Sequence, residues 1–154
     1  DYLRQLGARI DVTDDGVRVR PGPLRGCRLD LNATPDALPM MAVVACFAAG
    51  TTTLSNVAHA RIKETDRITG MREELGRLGA RITEQEDGLV IDHSELRGTE
   101  VDGRHDHRVV MALAIAGCAI PGETVIRTAD AATVTFPAFA DRVRDLGGQV
   151  QVVE

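Results

Sequence analysis

The sequence contains no tryptophan, one tyrosine, three phenylalanines and a single lysine in 154 residues. With so few aromatic rings, a core has to be built from aliphatic and alanine side chains, and the 44% hydrophobic content is sufficient for one. No apolar run reaches the roughly 18 to 20 residues needed to cross a membrane. No signal-peptide pattern is present, and the sequence starts at Asp1 rather than Met. We interpret residues 1–7 as the end of a helix already under way.

Charge and cysteine usage narrow the class further. The net charge of −5 argues against a nucleic-acid partner, since phosphate backbones require a basic face. Cys27, Cys46 and Cys118 form no CxxC pair, and the last two are expected to be small core residues of apolar helices, in keeping with a reducing cytoplasm. The sequence has no P-loop, no GxGxxG fingerprint and no metal-ligand spacing. These absences point away from nucleotide-binding and metal-dependent sites.

An internal repeat is the clearest sign of organisation. Leu6–Ile10 recurs at residues 78–82 and again, more loosely, at residues 146–150, at offsets of 72 and 68 residues. Residues 51–55 are echoed 72 positions later. We therefore predict an α/β (α+β) fold made of repeated βαβαββ-type units with buried apolar helices and outer sheets. The predicted units are residues 33–102 and 103–154, preceded by the tail of another unit at residues 1–32.

Each unit is predicted to contain the same elements. These are apolar helices at 38–49 and 109–120, strands at 51–56 and 123–128, amphipathic helices at about 65–78 and 137–146, and hairpins at 9–19 and 81–91. Gly79 and Gly147 stand where a helix commonly ends. Because the two apolar helices have no polar face, we expect both to be buried on all sides.

Polar residues precede the helices of each unit. Asp36 comes before the first apolar helix and Asp106 before the second, while Lys63, Glu64 and Arg67 are expected to start the amphipathic helix between them. Free N–H groups make a buried helix N-terminus a natural place for an anion. The alternative interpretation is that the two aspartates are helix caps and the other charges a solvated helix start.

Equivalent ends of repeated units are expected to converge on one face. The convergence would bring together Asp36, Lys63, Glu64, Arg67, His107 and Arg108. Two arginines suit a ligand with phosphate and carboxylate groups, and a carboxylate beside a lysine suits moving a proton from a hydroxyl to carbon. The residues thus indicate acid–base chemistry on a small anionic substrate. His93 and His105 are expected to be surface residues.

Three motifs in this order resemble those of the 5-enolpyruvylshikimate-3-phosphate synthase family. They are Lys-Glu-Thr-Asp-Arg at Lys63–Arg67, Asp-His-Arg at Asp106–Arg108 and Thr-Phe-Pro at Thr135–Pro137, and the stretch Asn32–Ala37 resembles the Pro-Asp segment of the family. The resemblance covers essentially the whole chain. It implies most of the C-terminal domain of a two-domain enzyme, with residues 1–154 as a single domain.

The resemblance implies an activity and roles for named residues. The family transfers the enolpyruvyl group of phosphoenolpyruvate to the 5-hydroxyl of shikimate 3-phosphate without a metal or cofactor. Asp36, Lys63 and Glu64 match its catalytic residues. Substrate-binding roles fall on His59, Arg67, His107 and Arg108. The sister enzyme that acts on UDP-N-acetylglucosamine is not expected to carry this combination of motifs.

Two departures and one gap accompany the resemblance. Val134 stands where many members have a lysine that holds phosphoenolpyruvate, and His59 stands where some have an asparagine that contacts the shikimate moiety. The N-terminal domain, with its phosphate-binding residues, is a missing partner, so we expect the chain alone not to turn over. The alternatives are an enolpyruvyl transferase with another acceptor and a non-catalytic anion-binding fragment.

Overall fold

The computed structural model describes residues 1–153, which form thirteen helices and strands. In chain order these are α1 Tyr2–Gln5, β1 Arg9–Thr13, β2 Gly16–Arg20, β3 Arg28–Asp30, α2 Leu38–Phe47, β4 Thr51–Ser55, α3 Arg67–Arg77, β5 Arg81–Gln85, β6 Gly88–Asp92, β7 Glu100–Asp102, α4 His107–Ala119, β8 Val125–Arg127 and α5 Phe139–Asp145. Short 3-10 helices occupy Pro35–Ala37, Ala58–Ile62 and Ala129–Val134. The order β3-α2-β4-α3-β5-β6 is the predicted βαβαββ pattern.

The strands form three separate sheets. β1 and β2 make an antiparallel hairpin, and β7 and β8 a parallel pair. The third sheet has the order β3-β4-β6-β5, in which β3 runs parallel to β4 and the other pairs are antiparallel. Both predicted hairpins are confirmed, and the sequence interpretation missed the three-residue strands β3 and β7.

The repeat is visible in atomic detail. Asn56 and Thr128, 72 residues apart, both adopt left-handed backbone conformations, with φ of 60° and 58°. Asn56 donates to the Asp30 carboxylate at 2.9 Å, and Thr128 donates to that of Asp102 at 3.0 Å. Each bond joins the end of one parallel strand to the residue after its neighbour. The two units therefore share a loop geometry as well as an element order.

Glycines end three of the helices at repeated positions. Gly7, Gly79 and Gly147 have φ of 96°, 100° and 93°. A side chain at such a φ would be strained, which is why a glycine follows the last residues of α1, α3 and α5. The prediction that Gly79 and Gly147 terminate helices is confirmed.

Helix α2 lies at the centre of the molecule. It packs against α3 and α4 on one side and against β4 and β6 on the other. Its side chains are buried or nearly so around the whole circumference, as its all-apolar sequence predicts. Cys46 is part of this core, and burial raises the pKa of its thiol to about 12.

The second apolar helix departs from the prediction. One face of α4 is buried, but Cys118 and Ala119 at its end are exposed; the buried residues are Val109, Val110, Ala112, Leu113 and Ala116. The expectation that Cys118 is a core residue is therefore wrong. Within residues 1–153, no strand covers this end of α4 in the way that β6 and the segment after it cover α2. His93 and His105 are exposed, as expected.

Helix length sets a limit on membrane insertion. None of the helices in residues 1–153 has both the length and the apolar character needed to traverse a bilayer. The longest, α4, runs for 13 residues.

Candidate active site

The predicted polar residues meet where α2, α3 and α4 begin. Asp36 lies in the 3-10 turn that leads into α2, and Arg67 is the first residue of α3. Asp106 immediately precedes α4, whose first two residues are His107 and Arg108. Arg67 at the start of α3 is ion-paired with Asp36 before α2 and with Asp106 before α4, so the N-terminal ends of the three helices lie side by side and the positive ends of their dipoles are close together.

Arg67 is at the centre of this cluster. Its side chain is only 1% exposed, and all three guanidinium nitrogens donate to carboxylates. Nε bonds Asp106 at 2.7 Å, Nη1 bonds Asp36 at 2.8 Å and Nη2 bonds Glu64 at 2.7 Å. Burial alone would lower the pKa of Arg67, but these carboxylates outweigh it and raise the pKa. A buried guanidinium needs such partners, and here they come from three separate segments of the chain.

Asp36 is ion-paired with several cations at once. Besides Arg67, it lies 2.9 Å from Nη2 of Arg108 and 3.9 Å from Nζ of Lys63. Burial opposes its ionisation, but the three cations outweigh burial and hold the pKa of Asp36 below its usual value. Its side chain makes no capping hydrogen bond to either the 3-10 turn or α2. The alternative of Asp36 as a helix cap is therefore wrong.

Asp106 combines capping with ion pairing. One of its oxygens accepts from the backbone N–H groups of Arg108 and Val109, at 2.9 and 3.3 Å, at the start of α4. The other accepts from Arg67, and the side chain is fully buried. The capping interpretation is confirmed for Asp106, with the buried ion pair in addition.

Lys63 and Glu64 lie outside any helix. Helix α3 begins at Arg67 because Asp66 caps it, accepting from the N–H groups of Ile68 and Thr69. The prediction that Lys63 and Glu64 start this helix is wrong, since both belong to the loop before it. Glu64 bonds Arg67 through one oxygen, and the other lies 3.8 Å from Nδ1 of His107. The loop brings both residues to the cluster from a partly solvated position.

Opposite charges in the cluster balance. The ion pairs join three full cations, Lys63, Arg67 and Arg108, to three carboxylates, Asp36, Glu64 and Asp106. An anion that binds here therefore has to replace a carboxylate as the partner of one of these cations, or bind to positive groups outside the cluster. Arg108, Asp36 and Glu64 are the members best placed to move, because their side chains are 40 to 47% exposed.

The two residues that depart from the family pattern each lie on a 3-10 helix. His59 is partly buried on the 3-10 helix Ala58–Ile62, which packs against the turn that carries Asp36. Val134 ends the 3-10 helix Ala129–Val134, which packs on α4, and its side chain is 79% exposed. An exposed valine can offer an anion neither charge nor a hydrogen bond.

The sequence interpretation missed one buried network next to the cluster. Glu74 of α3 is 1% exposed, accepts from Arg104 at 2.7 Å and from the backbone N–H of Asp102 at 2.9 Å. It thus ties α3 to the loop that leads into α4. The signal was its position, because Glu74 shares a helix face with Met71 and Leu75 and a charged residue among core positions needs a partner.

The potential metal ligands among the described residues are not grouped as in a metal site. Across residues 1–153, no group of three or more His, Cys, Asp and Glu side chains is arranged to hold a metal ion. The cluster at the helix starts pairs each carboxylate with an arginine or lysine instead.

Solved structures place this fold in a known class. The EPSP synthase of Acinetobacter baumannii matches with a TM-score of 0.85 at 25% identity, over 99% of this chain and 39% of that one. The enolpyruvyl transferase NikO of Streptomyces tendae matches with a TM-score of 0.79 at 23% identity, a likeness of fold alone, over 98% of this chain and 35% of that one. Residues 1–153 therefore have the fold of the enolpyruvyl transferases.

Within that class the chain belongs to the EPSP synthase (3-phosphoshikimate 1-carboxyvinyltransferase) family, whose sequence profile matches residues 1–143. Proteins named 3-phosphoshikimate 1-carboxyvinyltransferase are similar to it. That of Acetivibrio thermocellus is 53% identical over 152 residues, and that of Ruminiclostridium cellulolyticum is 50% identical over 153 residues. The match includes 99% of this chain but 36% of each relative, so the chain spans about a third of their length. The resemblance carried by the three motifs is confirmed.

Proposed function

We propose that this chain forms one wall of the cleft of a transferase that moves the enolpyruvyl group of phosphoenolpyruvate to the 5-hydroxyl of shikimate 3-phosphate. The observation that carries the proposal is the convergence of Asp36, Lys63 and Glu64 with two arginines at the starts of three packed helices. Such a set can hold an anion and exchange protons with it. The names of the relatives supply the reaction.

The reaction requires one proton to leave an oxygen and one to reach a carbon. The hydroxyl adds to the central carbon of phosphoenolpyruvate while the methylene carbon gains a proton, giving a tetrahedral intermediate. That intermediate then loses phosphate and a proton from the new methyl group, which restores the double bond. We assign these transfers to Asp36, Lys63 and Glu64. The lowered pKa of Asp36 keeps it ionised as an acceptor, and Lys63 lies 3.9 Å away to exchange the proton.

Anion binding falls to the arginines. Arg108 is 40% exposed and reaches a substrate phosphate or carboxylate by releasing Asp36. The three guanidinium nitrogens of Arg67 already donate to carboxylates, so Arg67 binds substrate only when the side chain of Glu64 or Asp36 moves away. Otherwise Arg67 orients those two carboxylates. His107, beside Glu64, faces the reacting centre, and His59 contacts the acceptor in place of the asparagine of other members.

The rest of the cleft belongs to a partner that this chain does not contain. We propose that residues 1–154 are most of a C-terminal domain, with repeat units that begin at β3 and β7 rather than at residues 33 and 103, and that an N-terminal domain provides further phosphate-binding groups. The extra length of the relatives supports this arrangement. The chain alone leaves the cluster open to water, so we expect no turnover without the partner. The free thiols support a reducing, cytoplasmic setting.

A binding function without catalysis is the second candidate. The exposed Val134, where many members have a lysine, favours it because one contact to phosphoenolpyruvate is lost. A different acceptor is a further alternative, which competition with shikimate 3-phosphate would reveal.

Phosphate release tests the proposal directly. The chain is incubated with phosphoenolpyruvate and shikimate 3-phosphate, alone and with a separately expressed N-terminal half of a related enzyme. We expect release only in the mixture, abolished by Lys63→Ala and retained in Arg18→Ala, a control on the exposed hairpin β1–β2. If the half binds but no mixture releases phosphate, the catalytic proposal fails and the binding function remains.

A further inference from the structure

We propose that Arg61 is a positioning residue that holds in place the Lys63 loop, residues 63–66, and thereby Lys63 and Glu64. The inference rests on the proposed function for its catalytic consequence, while its structural part stands on geometry alone. Lys63 and Glu64 are not held by the hydrogen bonds of a helix or strand, because both lie between the 3-10 helix Ala58–Ile62 and α3. Something else has to fix the loop if proton transfer is to be efficient.

Arg61 closes the loop on itself. Its Nη1 donates to Oδ2 of Asp66 at 2.8 Å and to Oγ1 of Thr69 at 3.2 Å. Asp66 is in turn held at the start of α3, since its other oxygen accepts from the N–H groups of Ile68 and Thr69 at 3.1 and 3.0 Å. The ion pair therefore joins the 3-10 helix before the loop to the last residue of the loop, with Lys63 and Glu64 between them.

The same guanidinium fastens the closed loop to the sheet. Nε donates to the carbonyl of Glu86 at 2.9 Å, Nη2 donates to that of Gln85 at 2.7 Å, and Nη1 lies 2.9 Å from Oε1 of Glu84. These three acceptors belong to the end of β5 and the turn into β6, and β6 pairs with β4 inside the four-stranded sheet. The loop thus has a rigid base on one side and α3 on the other.

The charges around Arg61 favour the ionised pair. Burial lowers the pKa of Arg61, but Asp66 and Glu84 outweigh it and raise the pKa. Burial likewise opposes ionisation of Asp66 and Glu84, but hydrogen bonds and Arg61 bring both carboxyl pKa values below their usual range. The side chain of Arg61 is 26% exposed, so water screens these contacts less than it screens a fully exposed pair.

Only arginine can make this set of contacts. The contacts involve all three nitrogens of a planar fork directed to five acceptors on two segments. A lysine has one nitrogen with three donors and cannot reach both sides. The single lysine of the sequence, Lys63, lies two residues after Arg61, and its Nζ is 3.9 Å from Asp36.

The unique lysine supplies a test that is independent of activity. A lysine-specific endoprotease can cleave residues 1–154 only after Lys63, so its rate reports how often the Lys63 loop opens. We compare Arg61→Gln with Arg72→Gln, a matched control, because Arg72 also approaches Glu84, at 3.5 Å, but does not contact the loop. We expect cleavage about 10-fold faster or more in Arg61→Gln, and a rate within about 2-fold of the original chain in Arg72→Gln.

Two results would overturn the inference. Unchanged cleavage in Arg61→Gln would show that the loop is held by other contacts. Equal acceleration in both variants would show a general loss of stability rather than release of the loop, and thermal melting of both variants identifies that case.

A second arm measures catalysis in the mixture with the N-terminal half. Arg61→Lys keeps the charge and is expected to lower kcat by about 10- to 100-fold, the usual effect of a displaced catalytic group, with the KM for phosphoenolpyruvate changed less than about 3-fold. A fall in kcat/KM carried by KM alone would contradict positioning. If the unsubstituted mixture is inactive, the proposed function fails, while the protease arm still decides whether Arg61 holds the loop.

Discussion

The unit from β3 to β6 and the unit that starts at β7 have the same local sequence pattern and different burial. Cys46 and Cys118 are equivalent positions 72 residues apart, yet the first is fully buried and the second exposed. Leu78 at the end of α3 is 1% exposed, whereas Leu146, at the end of α5, is 89% exposed. The leucine that follows the amphipathic helix is thus buried in the core of one unit and exposed to solvent in the other.

The cause of the difference lies outside the helices. In the first unit the chain after β6 returns over them, where Ser94 N–H donates to the Cys46 carbonyl at 2.9 Å and Arg97 N–H donates to that of Leu78 at 2.8 Å. No segment of residues 1–153 makes the equivalent passage over α4 and α5. An apolar helix pattern therefore states which residues can be buried, while the strands that follow determine which of them are.

The largest expected effect comes from cutting the ion pair that joins the two units. Arg67→Met leaves Asp106 fully buried without its cation, which should reduce the free energy of unfolding by about 3 to 5 kcal/mol. Urea denaturation measures the loss. The double variant Arg67→Met/Asp106→Asn removes the unpaired charge while keeping a capping side chain, so it should regain part of the stability. A loss below about 1 kcal/mol in the single variant would contradict a bridging role.

The comparison itself is tested by the same substitution in each unit. Leu78→Ala should reduce the free energy of unfolding by about 3 kcal/mol, because it opens a cavity in the core. Leu146→Ala should change it by less than about 0.5 kcal/mol, because that side chain is in water already. Equal losses would mean that α5 is covered in solution in a way that the fold of residues 1–153 does not provide.

Low pH should destabilise the folded chain through Asp66 and Glu84. The carboxyl pKa values of Asp66 and Glu84 are lowered in the folded chain, so both groups stabilise it above their unfolded pKa values of about 4. That contribution is lost as the pH falls through the lower, folded-state pKa values. Unfolding measured between about pH 6 and pH 2 should therefore show a falling free energy below about pH 4, with a shallower fall in Glu84→Gln. Parallel curves for the two proteins would contradict the role of Glu84.

The smallest effect follows from a position that the two units fill differently. Thr128 is a β-branched residue in a left-handed conformation, whereas the equivalent Asn56 tolerates that conformation and makes the same bond to an aspartate. Thr128→Asn should therefore raise the free energy of unfolding by about 1 kcal/mol, and Asn56→Thr should lower it by a similar amount. Denaturant midpoints of the two variants, shifted in opposite directions, would bear this out. Shifts of the same sign would count against it.

The sequence predicts the fold to the extent that local patterns determine it. The all-apolar run of α2, the Asp-Gly turn of the hairpin β5–β6 and the glycines after α3 and α5 each have a local cause, and each is in place. The strands β3 and β7 span three residues each, too short for a periodicity, and become strands through pairing with β4 and β8.

For the site, too, local patterns could be predicted from the sequence and long-range contacts could not. Its members could be predicted because they precede repeated helices, whose starts converge when the helices pack. Their contacts could not be predicted, because Arg67 bonds Asp106 across 39 positions and Asp36 across 31. The sequence also predicts Lys63 and Glu64 in the first turn of α3, although the helix begins only after Asp66. Asp66 follows them by two to three residues, and a periodicity argument cannot locate a helix start that accurately.

The balance of charges in the cluster has a consequence for how fast an anion reaches it. Three cations held against three carboxylates exert little attraction beyond their immediate neighbourhood, and the chain as a whole carries a net charge of −5. An anion approaching this wall is therefore repelled until it is within a few ångströms. Added salt should quicken its association with the isolated chain, the opposite of what a basic funnel would give.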